Sequence, residues 1–268
     1  MQSTEVFRLL GEILNFGAAE IYALIAVFTR VGATIALLPG FGEMTLPARV
    51  RLGAAIAFTL IIWPLVAAET PLRADEGTRD AMALTRLMAA EAVAGILLGL
   101  TIRLMIMVLQ LAGSIAAQST SVAQIFGAGV TPDPMPAIGN FLTIAGIALA
   151  MTMDLHIKAT LALVSSYQVI PFGTFPIGAD VAMWGAARTM AAFSLAFSLA
   201  APFMIAALLY NLALGAINRA MPQLMVALVG APAITGLTLF FLWAASLAIL
   251  THWADQLDDV LANPFGMP

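Results

Sequence analysis

Cysteine is absent, lysine occurs once and histidine twice in a chain of 268 residues. Without cysteine there is no disulfide framework and no thiolate metal site, and the absence fits a reducing or an oxidising compartment equally. His156 and His252 lie far apart, outside any HExxH or Cys/His spacing, so no metal site is expected. Charge is scarce too: 11 cations, of which Lys158 is the sole lysine, face 15 acids for a net −4. Such a chain offers no basic patch to a phosphate backbone, which excludes nucleic acid as a partner. No G-x-x-x-x-G-K-[ST] loop and no G-x-S-x-G elbow occurs, so nucleotide-driven work and serine hydrolysis are excluded and no cofactor is expected. Glu91, Asp154 and His156 could act as acid or base groups, but no nucleophile or metal motif accompanies them, and the chain reads as a non-enzyme.

What is abundant is apolar surface. Hydrophobic residues make up 62% of the chain and charged ones 10%, at a mean hydropathy of +0.99, against roughly 45–50% apolar usage in soluble domains. Breaks at proline, glycine and charge clusters leave six apolar segments: Ala18 to Leu38, Val50 to Ala68, Leu84 to Ile125, Ala137 to Ser166, Val181 to Ala220, and Val226 to Trp253. All but the second exceed the ~20 residues that cross a bilayer. The chain is therefore read as an all-α, polytopic membrane protein with about six long, partly broken apolar helices.

Two of those helices are too long. Ala81 to Ile125 holds no proline and as one helix would run roughly 68 Å, twice the ~30 Å hydrocarbon thickness, so it either breaks near Gly113 or leaves the bilayer. Ala137 to Ile170 repeats the overshoot and stays apolar in the excess length, which calls for cover other than lipid. Gly95 and Gly99 form a GxxxG pair suited to close helix packing, within the chain or against a partner.

Charged residues inside apolar segments are costly, about 2.5–3.5 kcal/mol each at a bilayer centre on insertion scales, and must face partners or water. They are Arg30, Glu91, Arg103, Asp154, Lys158 and Arg188. Arg30 and Arg103 have no acid three or four residues away, so their counter-ions come from other helices or other chains. In MDLHIK, Asp154 and Lys158 are four apart, acid first, which on a helix places them on one face as an ion pair. A proton or ion relay through Asp154, His156 and Lys158 is the alternative, and would make the chain a coupled secondary transporter.

The connector Glu69 to Arg86, with seven charges of mixed sign, and the acidic run Asp255, Asp258 and Asp259 read as aqueous surface. The N-terminal stretch carries Glu5, Arg8, Glu12 and Glu20 and no Ala-x-Ala site, so no cleaved secretory signal is expected and the mature chain should begin near Met1. With six spans, Arg8, Arg73, Arg79 and Arg86 fall on one side and Arg49, Arg51 and Arg219 on the other, a balance that sets no orientation.

The run APFMIAALLYNLALGAINRAMPQLMVALVGAP, residues 201–232, resembles the signature of the FliR family, the flagellar export-gate proteins of type III secretion, whose relatives include the injectisome subunit. FTRVGATIALLPGFGEMTLPARVRLGAAI, with Pro47 and Arg49, is similar to that family's Arg-containing first helix and Pro-x-Arg loop, and PDPMP followed by IGNF resembles its mid-chain landmarks. The likeness covers nearly the whole chain. It includes Arg219, Pro222 and Gln223 and departs from the pattern at Met225 and Ala227.

The resemblance implies a helical-hairpin subunit of a hetero-oligomeric channel in the bacterial inner membrane, within the flagellar basal body. One copy would stand beside several copies of FliP-like and FliQ-like subunits and other export-apparatus membrane proteins, forming the entrance for unfolded exported proteins. Residues 1–181 would correspond to the FliP-like portion and 182–268 to a FliQ-like hairpin. It also implies a pore plug at residues 118–136, with Gln118, Ser121, Gln124, Phe126, Gly127, Gly129, Val130, Pro132 and Asp133. By composition alone FGAGVTPDPMP is a turn between two helices, although its glycines permit hinging and Phe126 and Val130 offer apolar bulk for a dewetting stop.

Overall fold

The computed structural model describes residues 2–43, 46–67, 81–121, 137–220 and 226–266. These form seven helices and, among the described residues, no strand: α1 (Gln2–Leu37), α2 (Ala48–Val66), α3 (Ala81–Ser121), α4 (Ala137–Thr152), α5 (Leu155–Val169), α6 (Gly178–Ala220) and α7 (Val226–Ala262). Five of them carry a stretch long and apolar enough to cross a membrane, and α4 with α5 adds a sixth only if the bent pair counts as one span. The all-α, multi-helix membrane class expected from composition holds.

The apolar segments understate the helices at both ends of the chain. α1 starts at Gln2 instead of Ala18, because charged residues at its N-terminal end do not stop a helix. α7 runs on to Ala262 and carries Asp255, Asp258 and Asp259 on its last turns. α3 is one helix of 41 residues, about 62 Å long, with no break at Gly113. The break falls instead in the next segment, where α4 ends at Thr152 and α5 begins at Leu155. Asp154 sits between them at φ 60°, left-handed, a conformation that short polar side chains tolerate better than most.

Two compact units divide the described chain. The first comprises residues up to Arg103, Asp154–Gly185 and Val260–Met267. In it α1 packs on α2 and α2 on α5, around a core that includes Val27, Val31, Ile35, Ile62, Val66, Leu98, Leu163 and Tyr167. α3 meets α1 through the GxxxG pair. A Cβ on Gly95 would overlap the Arg30 carbonyl, and one on Gly99 would stand 2.9 Å from Leu37 Cβ and 3.0 Å from the Thr34 carbonyl oxygen. The close approach lets Thr34 Oγ1 donate to the Gly95 carbonyl at 3.0 Å, so this GxxxG is used within the chain.

The second unit comprises Leu104–Met153 and Ala186–Asp259. Gly113 has a use here other than a break: a Cβ on it would overlap Gly139, so the two glycines let α3 and α4 cross backbone to backbone. One turn pair further along, Gly146 faces Leu109 and the Trp253 ring, and Trp253 Nε1 donates to the Met105 carbonyl at 2.7 Å in a fully buried contact. Several hydroxyls in both units are satisfied along their own helices, as Thr59 to Ala55, Thr101 to Leu97 and Thr238 to Ile234 illustrate, each at 2.7–2.8 Å. That is how an apolar medium is made tolerable for serine and threonine.

Candidate functional site

The buried charges of the first unit converge. Arg30 on α1 and Glu91 on α3 are both fully buried and pair in fork fashion, Nε to Oε2 at 2.8 Å and Nη2 to Oε1 at 3.1 Å. Arg30 also donates from Nη1 to Ser166 Oγ at 3.1 Å and from Nη2 to the Ile170 carbonyl at 3.0 Å. Its guanidinium carbon stands 3.8 Å from the Tyr167 ring centroid, a cation–π contact in a dry setting. Glu91 accepts two more bonds, from Tyr167 OH at 3.3 Å and from the Gly173 N–H at 2.8 Å. The counter-ion of Arg30 is therefore within the chain.

Local sequence explains the arrangement. Ile170 caps α5 in an extended conformation, its N–H bonded to the Ser166 carbonyl, and Pro171 forbids another helical turn. Gly173 then takes φ +72°, open to glycine at little cost, and a Cβ there would come within 2.8 Å of Leu87 Cδ1. This turn delivers one carbonyl to the cation and one N–H to the anion. The result is a clasp holding α1, α3, α5 and the following turn, with both charges multiply bonded.

Arg103 finds Glu43, in the loop after α1, at 2.8 Å, with both side chains about one-third exposed. This partner too is within the chain. Asp154 stands outside α5 as its left-handed N-cap, ahead of the helix that carries Lys158. Its backbone carbonyl accepts the Ile157 and Lys158 N–H groups at 2.9 and 3.1 Å, while its side chain is exposed. His156 Nδ1 is buried without a hydrogen-bond partner among the described residues. Arg188 is buried on α6 in the second unit.

The remaining expected residues lie at element ends. Pro47 is the N-cap of α2, Arg49 is exposed in its first turn, and Arg219 is exposed in the last turn of α6, where a cation suits the helix C-terminus. Gln118 is exposed near the end of α3 and Ser121 is its final residue. Gln124, Phe126, Gly127, Gly129, Val130, Pro132 and Asp133, as well as Pro222 and Gln223, lie outside the described residues. Ser166, Tyr167, Gly173 and Glu43 were not foreseen. Their partners are 60 to 136 residues away, and only Glu43, a carboxylate in a short loop next to a span, carried a local hint.

Long apolar helices, an internally neutralised charge cluster and broad exposed apolar faces define a multi-helix membrane protein in which the buried Arg30–Glu91 pair ties helices together. Residues 21–260 match the family model of the bacterial export proteins, family 1, and the chain belongs to that family. It is 32% identical to the flagellar biosynthetic protein FliR of Caulobacter vibrioides over 250 residues, 91% of this chain and 96% of the relative. FliR of Bacillus subtilis is 30% identical over 78% of this chain and 80% of its own length, and FliR of Escherichia coli 27% identical over 87% of each. The resemblance read from residues 201–232 and from the Pro47–Arg49 loop thus extends along most of the chain.

Proposed function

We propose that this chain is a structural, non-enzymatic subunit of the flagellar protein export gate in the bacterial inner membrane. It would form part of the entrance channel for unfolded flagellar substrates, together with FliP-like and FliQ-like subunits. The observation that carries the reading is the family match over residues 21–260. The helices add a physical argument. On α6, large apolar side chains stay exposed from Met190 through Phe197, Ile205 and Leu212 to Ile217, a run of roughly 40 Å against ~30 Å of hydrocarbon. Lipid alone covers such a run only at a tilt beyond the usual range, so neighbouring protein is the natural cover. Under this reading residues 1–181 and 182–268 are the FliP-like and FliQ-like portions, and residues 118–136 form the plug.

Removing the gene from its host should abolish swimming and the export of flagellar substrates, and native mass spectrometry of gently solubilised membranes should find the chain with two other small membrane proteins. A stable monomer showing solute-coupled proton uptake would overturn the reading in favour of a transporter built on Asp154, His156 and Lys158. For the plug, deleting Gly127 to Pro134 should leave the complex assembled and the membrane leaky to small ions. Unchanged conductance in an assembled mutant complex would rule the plug out.

A further inference from the structure

Where α1 gives way to α2, the first unit itself marks the level at which polar surroundings begin. Arg30 meets Glu91, Thr34 meets Gly95 and Glu43 meets Arg103 at offsets of 60–61 residues, so α1 and α3 run parallel and in step. Along that register the Arg30–Glu91 pair is fully buried, whereas the Glu43–Arg103 pair is about one-third exposed. An exposed ion pair needs water or headgroups around it, so hydrocarbon stops at or before the level of Glu43 and Arg103. The Leu46 N–H bonds to the Glu43 carbonyl at 3.1 Å, and Pro47 then caps α2, so α2 starts at that level. Its 19 residues run about 28 Å, close to the ~30 Å of hydrocarbon. Lipid can therefore cover α2 from end to end, without the overshoot of α6.

Two arginines occupy the first turn of α2 and no acid does. Arg49 is exposed and Arg51 half-buried with only its Nε enclosed, and neither guanidinium has an ion pair or hydrogen bond among the described residues. Glu43, the acid next to this turn, is engaged by Arg103. The positive end of the helix dipole adds to both cations, and Pro47 supplies no side-chain cap. Helical side chains lean toward the helix N-terminus, so both guanidiniums reach outward, past the end of the hydrocarbon. Below Arg49 the same face carries Leu52, Gly53, Ile56 and Leu60, all exposed. A Cβ on Gly53 would meet nothing within 4 Å, so a residue disfavoured inside helices leaves a notch here that no described residue fills.

Uncompensated positive charge at headgroup level, with an apolar notch one helical turn below it, matches the order of groups in a phospholipid. We propose that the start of α2 is a site for an anionic phospholipid, whose headgroup phosphate is held by Arg49 and Arg51 while one acyl chain lies in the Gly53 notch against Leu52, Ile56 and Leu60. Arginine suits a phosphate through its forked donors. A zwitterionic lipid brings an ammonium that neither arginine can pair with, so the site prefers a net negative headgroup. The proposal rests on α2 spanning the membrane and is independent of the export reading.

The test uses the full-length chain in nanodiscs of equal phosphatidylglycerol and phosphatidylethanolamine with matched tails. Native mass spectrometry after release should find phosphatidylglycerol enriched, by about fivefold for each arginine and roughly thirtyfold for the two. Arg49→Gln/Arg51→Gln should remove that enrichment with circular dichroism unchanged, and Arg219→Gln, at an exposed arginine elsewhere, should leave it intact. No enrichment on the unmodified chain, enrichment that survives in the double variant, or an equal loss in Arg219→Gln overturns the proposal. Should the double variant fail to fold, phosphatidylglycerol with a photoactivatable acyl chain decides on the unmodified chain: crosslinks at Leu52, Ile56 or Leu60 support the site, and crosslinks that avoid α2 refute it.

Discussion

Replacing Arg30 by methionine removes the cation from the clasp and keeps much of its apolar stem. Four hydrogen bonds go with it: two to Glu91, one to Ser166 and one to the Ile170 carbonyl. Glu91, 0% exposed, is left as a buried carboxylate held only by Gly173 N–H and Tyr167 OH. Breaking one side of a buried pair destabilises by about 3–5 kcal/mol, most of it the stranded charge, and Arg30→Met should fall in that range. Glu91→Gln should be of similar size, since it strands the guanidinium. The double variant Arg30→Met/Glu91→Gln removes both charges and keeps an acceptor for Gly173, so it should be more stable than either single change. Reversible unfolding in mixed micelles, followed by circular dichroism, supplies the double-mutant cycle. A loss below about 1 kcal/mol for Arg30→Met, or a double variant losing the sum of both single effects, would refute the clasp as an energetic unit.

Gly95→Ala should destabilise by about 1–3 kcal/mol, because its Cβ would overlap the Arg30 carbonyl. Gly32→Ala, where nothing lies within 4 Å, should be neutral or gain up to about 1 kcal/mol, and the pair is compared in the same unfolding assay. Asp154→Gly should retain swimming and gain up to about 1 kcal/mol in that assay by easing a left-handed residue, whereas Asp154→Val should lose about 1–3 kcal/mol; loss of swimming in a well-folded Asp154→Gly protein would point to a chemical role for the carboxylate. Trp253→Phe removes the bond to the Met105 carbonyl and leaves a small void, and should lower stability by about 1–3 kcal/mol in thermal unfolding.

Which features the sequence reveals depends on the range of the interaction that makes them. The spans were legible because apolarity is local, and Gly95–Gly99 was legible as a close approach, though not against what. The end of α1 was legible in Pro39 and Gly40, the latter at φ 81°. By contrast, Met153–Asp154 shows no proline or glycine, and its break was invisible to pattern reading. Gly113, the natural candidate for a break, is used instead to admit Gly139. Of the six in-span charges, Arg30, Glu91 and Arg103 have partners on other elements of the chain. Pairing Arg30 with Glu91, 61 residues away, and adding Tyr167 and a backbone turn to them requires the tertiary fold itself.

The clasp also imposes an order on biosynthesis. Arg30 enters the membrane long before any of its partners exist, Glu91 follows 61 residues later, and the Ser166 and Ile170 acceptors arrive 136 and 140 residues behind the arginine. Until α5 and its turn are in place, the ion pair lacks two acceptors for the cation and two donors for the anion. A nascent chain halted before that turn would therefore expose an under-bonded charge pair to the insertion and quality-control machinery, and only the completed turn, with Gly173 closing on Glu91, completes the bonding of the pair.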